Sequence, residues 1–154
     1  MNALKTLTIT AFCLLVAGPV AARASVPIVN HAQITWAQGG GQQATPDQVR
    51  DAIIRACQEK GWTVTPTTDA DTLIATLVVR NKHTIQTSIS YSANTFSVTY
   101  AGSTNMNYAI KEPNPYTPSV SAGDVQVRTE VIHPNYNRWV SSLVSAIRDR
   151  KSVV

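Results

Sequence analysis

Over residues 73–100 the chain alternates apolar and polar side chains almost without exception. His83, Ile85, Thr87, Ile89 and Tyr91 fall on one side, and Thr84, Gln86, Ser88 and Ser90 on the other. After Ser92-Ala93-Asn94 the alternation resumes, with Phe96, Val98 and Tyr100 opposed to Thr95, Ser97 and Thr99. A period of two is what a strand with one buried and one wet face produces. Leu73, Ala75, Leu77 and Val79 begin the pattern and Arg80-Asn81-Lys82 turns it, so three antiparallel strands joined by tight turns are predicted. An extended entry is predicted over 25–37, with 33–37 its better strand, and shorter extended segments at 62–65 and where Val125, Val127, Thr129 and Val131 alternate with Gln126, Arg128 and Glu130.

Two other stretches change the period to that of a helix. Thr45-Pro46-Asp47-Gln48 supplies a capping hydroxyl, a proline for the first helical position, an acid at the positive dipole end, and the glutamine of a capping box. This helix is predicted over 46–60, ending at Gly61, with Val49, Ala52, Ile53 and Ala56 facing inward. Pro134 opens a second helix over 134–150, whose apolar stripe is Tyr136, Trp139, Val140, Leu143, Val144 and Ile147. Both stripes need cover, and the sheet has one apolar face to give. The predicted fold is therefore two-layer α+β, an antiparallel sheet of about five or six strands with the two helices packed on one face. On that reading Trp139→Ala costs about 3–5 kcal/mol.

The N-terminus changes the picture of compartment. Lys5 precedes an apolar run from Leu7 to Val20, Gly18-Pro19 breaks it, and Ala22-Arg23-Ala24 offers a small-residue cleavage site. Residues 1–24 are expected to be a signal peptide removed after Ala24, and 25–154 a single domain that is periplasmic or secreted. The run is shorter than the ~20 residues of a membrane-spanning helix. Cys13 lies inside it behind Phe12, a poor setting for lipid attachment, and its removal leaves Cys57 without a disulfide partner.

Charge excludes one class of partner. The chain carries 13 basic and 9 acidic residues. Removal of Lys5 and Arg23 brings the net charge from +4 to about +2. No basic stripe of the nucleic-acid-binding kind is present. Gly39-Gly40-Gly41 lacks the Gly-Lys-Ser/Thr of a phosphate loop and reads as a connector. His31, His83 and His133 show no metal-ligand spacing, and no Gly-x-Ser-x-Gly elbow occurs. No catalytic residue, metal or cofactor is assigned.

The polar constellation that remains is His133, Asn135, Tyr136, Asn137 and Arg138 around the second helix start, where amides and a guanidinium favour an anionic or sugar ligand; the plainer alternative is that His133 or Asn135 caps the helix, Tyr136 and Trp139 pack, and Arg138 is solvated. A long loop is expected over 102–124, rich in proline at Pro113, Pro115 and Pro118; its Tyr108, Lys111 and Tyr116 are candidates for meeting a partner. The hydroxyl- and amide-rich open face of the sheet is a further candidate surface.

Ser103-Thr104-Asn105-Met106-Asn107-Tyr108, followed by Ile132-His133-Pro134-Asn135-Tyr136-Asn137-Arg138-Trp139-Val140, resembles a family of small exported proteins of Gram-negative bacteria, many of them described as lipoproteins. Asn-Tyr-Asn-Arg-Trp is the distinctive run. Here residues 109–131 separate the two halves, and the lipid-attachment cysteine is missing. The resemblance implies an envelope location and a compact α+β domain, and supplies no catalytic residues. The function expected is that of a non-enzymatic binding or accessory protein of the cell envelope, recognising a protein partner or a cell-wall ligand. Two alternatives stand beside it: a small periplasmic hydrolase using His133 with Tyr136 or Arg138, and an inhibitor or immunity protein acting through the 109–123 loop.

Overall fold

A computed structural model describes residues 24–35, 44–112 and 128–149. In chain order the elements are β1 (Val26–Pro27), β2 (His31–Thr35), α1 (Pro46–Glu59), β3 (Thr63–Pro66), β4 (Thr72–Val79), β5 (His83–Tyr91), β6 (Thr95–Thr104), β7 (Ala109–Lys111), β8 (Thr129–Ile132) and α2 (Asn135–Arg148). The class is α+β with two antiparallel sheets: five strands in the order β2-β6-β5-β4-β3, and three in the order β1-β8-β7.

The meander forms as its alternation dictates. Ile85, Thr87, Ile89, Tyr91, Phe96 and Val98 are buried beneath Val49, Ile53, Ala56 and Cys57 of α1 and Tyr136, Val140, Leu143 and Ile147 of α2. Arg80 and Asn81 take left-handed φ values of 54° and 49° to turn β4 into β5, and the Lys82 amide closes on the Val79 carbonyl at 3.1 Å. Between β5 and β6, Ser92 Oγ accepts from the Asn94 and Thr95 amides, which fixes that turn.

Helix α1 is specified by its own residues. Thr45 Oγ1 accepts from the Gln48 amide at 3.3 Å while Gln48 Oε1 accepts from the Thr45 amide at 2.8 Å, the reciprocal capping box. At its other end Gly61 (φ 76°) lets the Trp62 amide reach the Cys57 carbonyl at 2.8 Å, a Schellman closure. Burial pushes the Cys57 thiol up to about 12, so it serves as a small apolar side chain and not as a nucleophile.

Four expectations are corrected. Residues 102–104 belong to β6 and 109–111 form β7, so the stretch predicted as loop from 102 is partly strand. A β-bulge near Tyr100 shifts the register between the Gln86–Gly102 and Thr87–Tyr100 pairs and hides the alternation. The first longer strand begins at His31 and not at Gln33, because Gln33 (φ 51°) sits at a register shift against β6. The second sheet was not expected, since β1 has two residues and β7 has three exposed ones, too few to show a period. Trp139 is only partly buried, so truncating it should cost less than the range for a fully buried tryptophan. Trp36, Tyr116, Val125 and Val127 lie outside the described residues.

Candidate functional site

The two motif halves, separated by residues 109–131 in the chain, meet in space. Asn105 and Asn107 take left-handed φ values of 58° and 51° in the turn between β6 and β7. That turn presents consecutive carbonyls to two histidines from different strand ends. The His83 ring donates from Nδ1 to the Asn105 carbonyl at 2.7 Å, and the His133 amide donates to the Met106 carbonyl at 2.8 Å. Asn105 also donates from Nδ2 to the Lys82 carbonyl at 2.7 Å, which ties the turn to the base of β5.

Helix α2 begins at this junction without a cap of its own. Pro134 occupies the N-cap and makes no side-chain hydrogen bond, and its first turn carries no acidic residue. The His133 ring fills the gap: Nδ1 accepts the Asn135 amide at 3.2 Å. A nitrogen that accepts there carries no proton, so in the neutral ring the proton sits on Nε2. His83 has the opposite tautomer, since its Nδ1 faces a carbonyl and must donate, leaving the Nε2 lone pair.

His83, Met106, His133, Asn135 and Trp139 line a cavity of about 90 Å³. Three buried polar atoms lack a hydrogen-bond partner among the described residues: His31 Nε2, Thr87 Oγ1 and Asn135 Oδ1. Asn135 is the one that borders this cavity. A buried carbonyl-type oxygen left unpaired costs about 1–3 kcal/mol, so a group that pairs with it is favoured there.

The other expected site residues separate by role. Tyr136 is fully buried, edge-on to Tyr100 with ring centroids 5.5 Å apart, and burial raises its phenol well above the ordinary range. Asn137 is a backbone clamp: Oδ1 accepts the Val29 amide at 3.1 Å and Nδ2 donates to the Pro27 carbonyl at 2.8 Å, holding β1 to α2. Arg138 is exposed and does not line the cavity. Tyr108 stacks on Tyr100 at 5.0 Å and donates to Glu130 at 2.6 Å, and that hydrogen bond pushes its phenol up to about 12. Lys111 is exposed on β7 beside Ile110, itself half exposed. Tyr116 lies outside the described residues.

The structure thus brings His133 and Asn135 to one cavity and leaves Tyr136, Asn137 and Arg138 elsewhere. His83 and Met106 were not expected to join them. His83 read as one more member of an alternating face, and nothing in its local sequence signals a partner about fifty residues away.

The open face of the five-stranded sheet carries Thr63, Thr65, Thr72, Ile74, Thr76, Val78, Thr84, Gln86, Ser88, Ser90, Ser97, Thr99 and Thr104 in register across β3 to β6, and Thr95 against Thr35 of β2, with no ionisable side chain among them. A separate cleft of about 290 Å³ lies between the start of α1 and the 66–72 turn, lined by Asp47, Arg50, Asp69, Asp71 and Tyr91 among others. Among the described residues no three His, Cys, Asp or Glu side chains group as a metal site, and no helix is long and apolar enough to cross a membrane.

Comparison with family models, with curated proteins and with solved structures found no match to this chain.

Proposed function

We propose that this chain is an exported, non-enzymatic binding protein of the bacterial cell envelope, and that the cavity at the start of α2 is where it holds its ligand. The observation that carries the reading is Asn135 Oδ1, buried without a partner among the described residues, on a residue that lines a cavity together with His83 and His133. The signal-like residues 1–24 supply the exported location. The hydrolase alternative needs His133 to work with Tyr136 or Arg138, and neither lines the cavity.

The test uses the chain from Ser25 onward, immobilised and exposed to soluble envelope extract and to cell-wall fragments. A component retained by the wild type and lost from both Asn135→Ala and His133→Ala, with both variants melting as folded proteins, supports the proposal. Equal retention by wild type and variants overturns it. So does turnover of a cell-wall substrate that disappears in His133→Ala at unchanged stability, the outcome the hydrolase reading requires.

A further inference from the structure

We propose that the cavity beside α2 is a primary-carboxamide site, taking the –CONH₂ group of a free small amide or of an Asn or Gln side chain. This assignment rests on the reading of the cavity as the binding site and adds the chemistry of what enters it.

The residues that line it carry a specific set of polar atoms. His83 Nε2 is an acceptor, because its Nδ1 is committed as donor to the Asn105 carbonyl. His133 Nε2–H is a donor, because its Nδ1 is committed as acceptor of the Asn135 amide. Asn135 Oδ1 is a buried acceptor. Apart from Asn135 Nδ2, which is not among the buried unpaired atoms, these two acceptors and one donor are complemented by a group with two N–H bonds and one carbonyl, and a primary carboxamide has that inventory. Its NH₂ donates to His83 Nε2 and Asn135 Oδ1, and its oxygen accepts from His133 Nε2–H.

Competing groups leave mismatches. A carboxylate only accepts, so it sets its charge against two acceptors. An ammonium only donates; it opposes the His133 N–H and sits at the positive end of the α2 dipole. A hydroxyl satisfies at most part of the set. A metal finds the His83 ring backed by a carbonyl, as metal-bound imidazoles are. The remaining nitrogen of His133 is protonated, however, which leaves one imidazole lone pair and the Met106 thioether among the lining residues. Size points the same way. A volume of about 90 Å³ matches roughly three waters at ~30 Å³ each. It is far below the ~300–1,000 Å³ of sites that enclose drug-sized ligands. One functional group fits, flanked by the Trp139 and Met106 side chains, with the rest of its carrier outside.

The experiment follows the imidazole ¹⁵N resonances of the histidine-labelled chain from Ser25 onward near neutral pH. Propionamide, propionate, propylammonium and silver ion are titrated separately. Saturable movement of the His83 and His133 signals by propionamide, with propionate and propylammonium about tenfold weaker or worse, is the expected result. Asn135→Ala should weaken the amide by about tenfold. Asn135→Asp keeps an acceptor at that place and suits a helix start, so it should retain the amide and gain propylammonium. A capped peptide whose single primary amide is a central glutamine distinguishes the sources: tighter binding than propionamide points to a protein side chain, weaker binding to a free amide. Propionate, propylammonium or silver ion binding as tightly as propionamide overturns the carboxamide assignment alone. Silence of both histidines toward every probe and toward envelope extract overturns the proposed function with it.

Discussion

Helix α1 opens on a reciprocal cap that its own N-cap residue supplies, whereas α2 opens on the ring of His133, the residue before its N-cap. Thr45 and Gln48 exchange hydrogen bonds, Pro46 needs no amide partner, and Asp47 meets the dipole. At α2 Pro134 contributes no side-chain bond, the first turn has no acid, and the Asn135 amide is satisfied by His133. The first arrangement closes on itself. The second commits one nitrogen of His133 to structure, frees the other, and leaves Asn135 Oδ1 unpaired at a cavity. Both caps are local; what sets the α2 start apart is that the turn after β6 meets it, with the His133 amide on the Met106 carbonyl, and a buried polar atom is left over there.

The largest expected effect tests how much tertiary weight the α2 start carries. Tyr136→Ala removes a fully buried ring from the Tyr100 contact and should cost about 3–5 kcal/mol in urea unfolding. Val49→Ala, its counterpart in the first turn of α1, should cost about 2 kcal/mol. Equal losses would remove the contrast between the two starts.

Asn137→Ala comes next. It deletes the bonds to Pro27 of β1 and to Val29 just beyond it, worth about 1–3 kcal/mol together. The local signature is faster hydrogen exchange at the Val29 amide with exchange in α1 unchanged. Protection at Val29 that survives the substitution would show that β1 is held by β8 without the clamp.

Thr45→Ala should cost about 1 kcal/mol, with fraying limited to the first turn of α1. His133→Ala removes the equivalent cap and should cost a similar amount, about 1 kcal/mol. Its distinguishing mark is at the other side of the cavity: the His83 imidazole resonances should shift in His133→Ala and stay in place in Thr45→Ala.

The smallest effect is a titration. Tyr108 donates to Glu130, so its phenol is held up to about 12, above the ordinary value of 10. A group raised in the folded state contributes below its unfolded pKa, and the contribution is lost as pH rises through the folded one. The bond should therefore persist to about pH 10 and be lost toward pH 12. In Glu130→Gln the Tyr108 tyrosinate absorbance should appear at lower pH. An unchanged midpoint would assign the shift to burial against Tyr100 instead.

The meander, α1 and the inward stripe of α2 were legible because each depends on neighbours two to four positions away. The capping box at Thr45 and the stop at Gly61 are of the same kind. The second sheet was not legible, since Val26 pairs with Ile132 across most of the chain and β7 shows no buried face. Of the expected site residues, His133 and Asn135 reach the cavity. Asn137 looked like a ligand contact for the same reason that it works as a clamp: a side-chain amide pairs as readily with backbone as with anything bound.

By itself the sequence determined the elements, the sheet's inner face and the identity of the polar residues at the α2 start. Only the tertiary structure decided which of them share a cavity, and which nitrogen of His83 is committed to the backbone. Periodicity encodes the direction a side chain points from its own backbone, over a turn or a strand's pleat. It holds no information about the Asn105 carbonyl that fixes His83, because that contact exists only once β6 has turned back onto β5.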